Sequence, residues 1–574
     1  VSTMTTVADH NARMAGGYEQ NLDQPWEESY TAASSPSTPS RSKSLRKMFS
    51  SKRIGLGKSN KGFTDHRADS TTHRGLSSPG GREQPAMSMD VEEREISKFN
   101  DKGNEFFGRG EYDAALRMYS EALKMLKNPT IRMDPSEGGD EYMTVAMRRF
   151  RTARCLVNVG AVHTRRENYV DAMSALELSI RQSELVPSNS NHYYRACEVT
   201  ADAMENIGLV LFKQENYDKS SVMYTDALDA RRKCLSLMES KHARWRHKSR
   251  EEMRKYKEER NECLLETSVT LFYITLLREK QSNVTEAVQK CEESIRIRRN
   301  IIPDSNLDPY SLNLFTTIGR LYCHEGVKRY REALDYFHEV HRMKCETSGK
   351  DHLDVVPSLN SIAFIYNELG DFMKCIVISE RAIDIASHGR GLNKELCVAY
   401  VNKGTAYMKR HDYDKAILSY KTAIKTQEKV LEKNDMMNAD SYEKLAEAYL
   451  LSNDVQKAVI KLERSIDVKK QTYGPDDEKL AEAYSKLGDY YSKGLGYSNG
   501  IKYHTRALRI FKHHDNKKSA ATEHNKIASI LKMTGEKNKA MEHYMASLWH
   551  AREARLPSTD HIVSDTIKNV AAFQ

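Results

Sequence analysis

KGNEFFGRGEYDAALRMYSEAL, residues 102–123, sets tiny side chains at fixed distances from aromatic ones. Gly103, Ala115 and Ala122 alternate with Phe106, Tyr112 and Tyr119. Two closely packed helices need this arrangement, because small residues let the backbones approach and rings fill the space beside the contact. A single hairpin of this kind cannot bury its own apolar face, so the pattern decides the fold only if it recurs.

It recurs along the chain. First-helix anchors stand at Gly103, Gly160, Gly208, Gly319, Ala363, Gly404, Ala446, Gly488 and Ala528, with a degenerate member at Thr275. Twelve residues after most anchors comes a small residue of the second helix, as at Ala115, Ala172, Ala416, Ala458 and Ala540. Seven further on another often follows, as at Ala122, Ser179, Ala423 and Ser547. The Gly319 copy needs two extra residues to reach Ala333. The spacing predicts an all-α array of about ten helix–turn–helix repeats. STDHIVSDTIKNVAAFQ, beginning at a Ser/Thr/Asp cap, predicts a capping helix within 555–574 that covers the last repeat.

The repeats resemble tetratricopeptide (TPR) repeats, as in VNKGTAYMKRHDYDKAILSYKTAI, residues 401–424. From Ala363 the anchors step by 41, 42, 42 and 40 residues, which is similar to the longer repeats of kinesin light chains. The resemblance implies a right-handed superhelical solenoid whose first helices line a concave groove for a protein partner. It also implies a non-enzymatic scaffold or adaptor, with cargo adaptation to a motor as a narrower version. The N-terminal region lacks the heptads of a motor-binding coiled coil.

Composition agrees with an elongated array, since 39% hydrophobic content is low for one compact core. Nine cysteines are scattered without a CxxC pair and read as packed thiols in a reducing compartment, so a cytoplasmic location is expected. No run reaches the ~18 apolar residues that a membrane helix needs. The expected organisation is an arm over 1–90, repeats one to three over 91–235 with a loop insertion at 127–143, and a basic helical insertion over 236–262. Repeats four to ten follow over 263–554.

The arm is rich in Ser, Thr, Pro and Gly without hydrophobic periodicity and is expected to be disordered. Its first 40 residues carry five acids against Arg13, whereas residues 41–62 carry eight cations and no acid. Ser35, Thr38 and Ser78 precede proline and Ser44 follows Arg41 by three, so these four are candidate phosphorylation sites. A second basic stretch holds Lys241, Arg244, Trp245, Arg246, Lys248 and Arg250. Because acids return at Glu251 and Glu252, a solvated charged helix is the first reading of the second stretch. Weak contact of the two stretches with an anionic membrane or nucleic acid is the alternative, which neutralising Arg244, Arg246 and Lys248 would abolish.

Catalytic patterns are wanting. GLGKS at 55–59 has Lys52 where a phosphate loop needs its first glycine. The adjacent pairs His513-His514 and Cys323-His324 have no further ligands at metal spacing, and no cofactor or small-molecule substrate is expected.

Candidate groove residues therefore come from the first helices. Asn104 and Asn158 resemble the two asparagines of the TPR carboxylate clamp, but Asn100, Asp202 and Asn206 stand where that clamp places cations. In the last repeats Asn402, Lys444, Lys486 and Lys526 each lie two residues before an anchor, with Glu447 and Asp489 among the nearby acids. Stacking would align these side chains for a peptide carrying acidic and apolar residues.

Overall fold

The computed structural model describes residues 89–127, 141–190, 192–243, 249–302, 308–388, 394–430, 435–494 and 496–572. All secondary structure in these residues is helical. The repeats are hairpins: α1 (Met89–Gly108) with α2 (Tyr112–Lys127), α3 (Glu141–Arg165) with α4 (Tyr169–Glu184), and α5 (Tyr193–Lys213) with α6 (Tyr217–Ala243). Next come α7 (Arg250–Lys280) with α8 (Val284–Ile301), then α9 (Pro309–Cys323) and α10 (Tyr330–Ser348). A 3-10 turn at Leu353–Val355 leads into α11 (Val356–Leu369) and α12 (Phe372–His388). The remaining pairs are α13 (Lys394–Lys409) with α14 (Tyr413–Val430), α15 (Met436–Leu451) with α16 (Val455–Tyr473), and α17 (Glu478–Gly494) with α18 (Tyr497–His513). The tenth is α19 (Lys517–Met533) with α20 (Lys537–Glu553), and α21 (His561–Ala571) follows it. Contacts divide these helices into two compact units, one ending at Val327 and the other beginning at Lys328.

What closes each hairpin is a close approach at the anchor. Sixteen residues after it, a side chain of the second helix fills the space that the anchor leaves open. A Cβ on Gly404 would stand 2.7 Å from the Tyr420 ring, and one on Gly208 2.8 Å from Tyr224. The same register pairs Gly160 with Leu176 and Gly488 with His504. Tyr119, Tyr224, Tyr420 and Tyr544 are all fully buried in this role. Their phenols do not go unsatisfied: Tyr119 donates to Asn104 Oδ1 at 2.7 Å, and the Tyr420 hydroxyl lies 3.1 Å from Thr405 Oγ1.

A second recurrent contact is polar. The Ser179, Ser294 and Ser547 hydroxyls each donate to a first-helix carbonyl of their own repeat, those of Ala153, Ser268 and Ala521, at 2.7–2.8 Å. Cys291 and Cys375 instead point at carbonyls of the next repeat, those of Leu314 and Asn402. Eight of the nine cysteines are buried and all are free thiols, which fits small packing residues.

The turn inside eight of the ten hairpins uses a left-handed residue seven after the anchor, whereas the Gly319 copy has it at Lys328 and the Gly488 copy at Gly496. Glycine takes this place at Gly110, Gly370 and Gly535, but Glu167, Glu215, Ser282, His411 and Asn453 adopt it with φ between 59° and 66°.

The charged stretch after repeat three is helical at both ends. α6 runs on to Ala243, and α7 starts from a Ser249 capping box with Glu252. The two long helices pack through Cys234, Met238 and Cys263, and the His242 and Tyr256 rings stack at 3.8 Å. α21 is held at the end by Asn525, whose amide reaches Thr566 Oγ1 at 2.5 Å, and by Ile562 in a small cluster with Ala521 and Ala551.

Gly404→Ala is expected to lower the unfolding free energy by about 1–3 kcal/mol in urea titration, because Tyr420 has nowhere to move. Adding Tyr420→Leu restores part of that loss, since Ala446 faces Leu462 in repeat eight at the same register.

Candidate functional site

In the unit from Lys328 onward, the first helices carry two kinds of polar wall. The earlier part is built from asparagine. Asn402 is buried and donates to the Asn360 carbonyl at 3.0 Å, Asn367 donates to the Asn402 carbonyl at 3.1 Å, and Asn360 reaches Glu395 Oε2 at 2.7 Å. These amides tie α11 to α13. Asn402 thus spends its side-chain donor inside the array.

The later part is an ionic ladder. Buried Glu443 on α15 accepts from Lys469 of α16 and from Lys486 of α17, the latter at 3.2 Å. One step on, Lys526 of α19 donates to Asp489 Oδ2 and Ser485 Oγ of α17, both at 2.8 Å. Glu523 completes this step by accepting from Ser485 at 2.6 Å and meeting His504 at 2.8 Å. Burial depresses the Lys486 and Lys526 ammoniums, but Glu443 in one case and Glu523 with Asp489 in the other lift them above the ordinary lysine value. His504 and Asp489 approach at 3.5 Å.

Lys444 is the exception. It is 8% exposed, and among the described residues no carboxylate comes within ion-pair distance of it. Burial holds its ammonium below the usual lysine range, although Glu447 and Asp440 act in the opposite direction. Glu447 itself is exposed one turn on. The predicted row Asn402, Lys444, Lys486, Lys526 therefore consists of one amide bonded to backbone, two lysines held by carboxylates of this chain, and one cation without such a pair.

In the unit ending at Val327, Asn158 is buried and its amide lies 3.4 Å from Asn104 Oδ1, so these two do meet. Asn206 instead bonds within α5, to the Asp202 carbonyl at 2.8 Å. Asp202 faces fully buried Arg231 at 2.8 Å, and Arg231 also meets Glu205 at 3.3 Å and Glu266 at 3.8 Å. Beside them Glu198 is pushed up to about 7 by burial and by Asp202, against the pull of Arg154 and Arg231. Lys241 and Arg250 are exposed, with Lys241 over the Tyr194 ring at 5.4 Å. Arg244, Trp245, Arg246 and Lys248 lie outside the described residues, as do Ser35, Thr38, Ser44 and Ser78.

Arg231 is absent from the candidate groove residues because those lie on first helices. It stands 23 residues after its anchor, on the second helix, where the side chain enters beneath the first helices. Arg298, Gln427 and Lys469 occupy the same register and are likewise buried. Arg298 pairs with Asp308, and Gln427 donates to Ser441 at 2.9 Å. A polar residue recurring at that spacing was a readable signal.

The histidines that cluster are different from the adjacent pair noted in the sequence. His524 and His543 face each other through Nδ1 atoms at 2.9 Å, and the His524 and His550 rings stack at 5.4 Å. One Nδ1 must carry the hydrogen and the other the lone pair, so charging both rings sets N–H against N–H. Burial and Lys512 hold all three below the ordinary value, His524 at about 3. No group of three metal-ligating side chains is arranged around an ion position among the described residues.

The geometry now has a context. A family model described as tetratricopeptide repeat matches residues 395–471, and a second of that description matches 200–237 and 319–354. Among solved structures, BtubC (BKLC) from P. vanneervenii is similar at 17% identity, covering 40% of this chain and 92% of that one, with a TM-score of 0.36. A kinesin-light-chain-type protein of Podosopora anserina with nearly identical TPR-like repeats is similar at 20% identity, covering 35% and 94%, with a TM-score of 0.31. The apo form of RapI is similar at 12% identity, covering 50% and 99%, with a TM-score of 0.37. A search of curated proteins found no match. Residues 200–237, 319–354 and 395–471 are thus matched as tetratricopeptide repeats, a repeat type that supports a protein-interaction scaffold in general. Among the described residues, no helix is long and apolar enough to cross a membrane.

Lys444→Met is expected to raise the unfolding free energy by on the order of 1 kcal/mol, whereas Lys469→Met lowers it, because only the second change strips a buried carboxylate of a partner. Chemical denaturation of the two variants separates these cases. The histidine cluster sets a pH dependence. Folded values below the ordinary histidine value of 6.5 mean that its contribution is complete above that pH and is lost as pH falls below it. Thermal melting at pH 5 and pH 7.5 should show a smaller difference for His524→Phe than for the native chain.

Proposed function

We propose that this protein is a non-enzymatic scaffold or adaptor whose first-helix face between α13 and α19 holds a partner segment bearing acidic and apolar groups. The observation that carries this reading is Lys444, a buried ammonium without an ion pair in a row where its neighbours are neutralised. A desolvated cation of this kind is stabilised by a carboxylate that a partner brings, and the gain is larger than at an exposed lysine. The Glu443–Lys469–Lys486 and Lys526–Asp489 contacts then serve as a rigid frame, so little ordering cost falls on binding. Exposed Glu447 beside Lys444 would set which register the partner adopts, by repelling carboxylates that fall one turn away.

The test compares proteins captured from the native cell by the full chain and by Lys444→Met, with far-UV circular dichroism confirming equal folding. Partners of the groove are expected to be depleted about tenfold by the variant, which corresponds to about 1.4 kcal/mol. Equal capture of every partner by both forms contradicts the reading.

A further inference from the structure

A cavity of about 440 Å³ opens between α14, α15 and α16 and shares none of its lining with the ionic ladder. Its floor is Ile424, Leu445, Tyr442 and Tyr449, and its rim carries Lys421, Lys425, Lys457 and Lys461. Glu428 is the single carboxylate in the lining, and it accepts the Tyr442 hydroxyl at 2.7 Å. Lys457 pairs with Asp454 at 2.5 Å, whereas Lys421, Lys425 and Lys461 have no carboxylate partner among the described residues. Lys421 sits 5.5 Å over the Tyr449 ring and Lys461 5.9 Å from the Tyr442 ring.

The shape of the cavity selects its occupant. The lining on α14 runs from Lys421 to Glu428, two turns or about 10 Å. Its two lysines stand four residues apart, and so do Lys457 and Lys461 on α16. Each wall thus offers two ammoniums about 6 Å apart along a helix axis, with an apolar trough between the walls. The apolar surface continues outward, since Leu418, one turn before Lys421, and Ile460, between the α16 lysines, are 66% and 59% exposed. Both lie fourteen residues after their anchors, where the next two repeats place Lys502 and Glu542. An occupant must therefore bring an apolar ridge about two turns long, with carboxylates four residues apart on both of its sides. An amphipathic helix has this form, because residues at i, i+3, i+4 and i+7 share one face. A second copy of this chain presenting the same surface would set lysine against lysine.

We infer that this cavity is the docking site for an acidic amphipathic helix of a partner protein. The helix lies along α14 and α16 with its apolar ridge on the tyrosine floor and against Leu418 and Ile460. Its carboxylates meet Lys421 and Lys425 on one side and Lys461 on the other, while Lys457 is already held by Asp454. Docking closes an exposed apolar patch and neutralises three ammoniums. It uses none of the inner-face row, so one scaffold holds two partners at once, and either site can fail without the other.

The experiment titrates the full chain with a fluorescently labelled peptide of leucine and glutamate, about 17 residues long so that it can form an isolated helix. Leucines occupy one face and glutamates both flanks, and a second peptide has the same composition in scrambled order. Anisotropy is expected to show the patterned peptide binding at least about tenfold more tightly than the scrambled one. Lys421→Glu with Lys461→Glu, and separately Leu418→Ser with Ile460→Ser, should each weaken it about tenfold, whereas Lys444→Met leaves it unchanged. None of the four side chains changed in the double variants is buried, and circular dichroism confirms equal folding. No binding of the patterned peptide, equal binding of the scrambled one, or binding unchanged in both double variants overturns the inference. Displacement of the peptide by vesicles of phosphatidylserine and phosphatidylcholine assigns the surface to a lipid membrane. Self-association of the chain that Leu418→Ser with Ile460→Ser abolishes assigns it to a second copy. Either result overturns the partner helix.

Discussion

The array depends on one steric constraint: the first helix of each repeat must come close enough to the second for a large side chain to lie against bare backbone. Gly404 under Tyr420 and Gly208 under Tyr224 show how little space is left. The aromatic ring gains its full contact area only because no Cβ stands in the way, and the contact fixes both the distance and the register of the hairpin. Ala528, sixteen residues before fully buried Tyr544, shows that an anchor with a methyl group can also keep this register. With this spacing set, the serine-to-carbonyl bonds fall at a constant offset, and so do the left-handed turn residues of eight repeats. The repeat is therefore a single geometric object copied along the chain.

A second regularity decides what the inner face can do. The residue 23 after the anchor reaches under the first helices, and in several repeats it is charged. Each such charge needs a partner, so Arg231 gathers Asp202, Glu205 and Glu266, and Lys469 takes Glu443. These pairs consume carboxylates that a sequence reading would assign to a ligand. They also free other positions, and the lack of an ion pair at Lys444 is visible only once its neighbours are seen to be occupied.

Much of the fold was legible in the sequence because small anchors and their partners repeat at short, constant spacing. Thr275 was recognisable as a degenerate anchor because Ala287 and Ser294 keep the spacings of twelve and then seven that follow the other anchors. The wall was less legible. Asn402 and Lys444 occupy the same position in their repeats, yet one binds backbone and the other has no ion pair among the described residues, since the difference arises from Asn360 and Asn367 in the preceding repeat. The cavity beneath Lys421 and Lys461 left no sequence signature, because it is formed where two second helices separate, and solvated lysines on a helix look alike whether or not a hollow lies between them.

Amide hydrogen exchange on the full chain tests the steric account most directly. Slow exchange is expected within the helices from α11 to α19, deepest at the amides around the anchors Ala363, Gly404, Ala446 and Gly488, with fast exchange confined to the turns, such as those at Gly370, His411 and Asn453, and to the connections between repeats. A repeat within α11 to α19 whose anchor amides exchange as fast as its turn would contradict the claim that close helix approach at the anchor holds the array together.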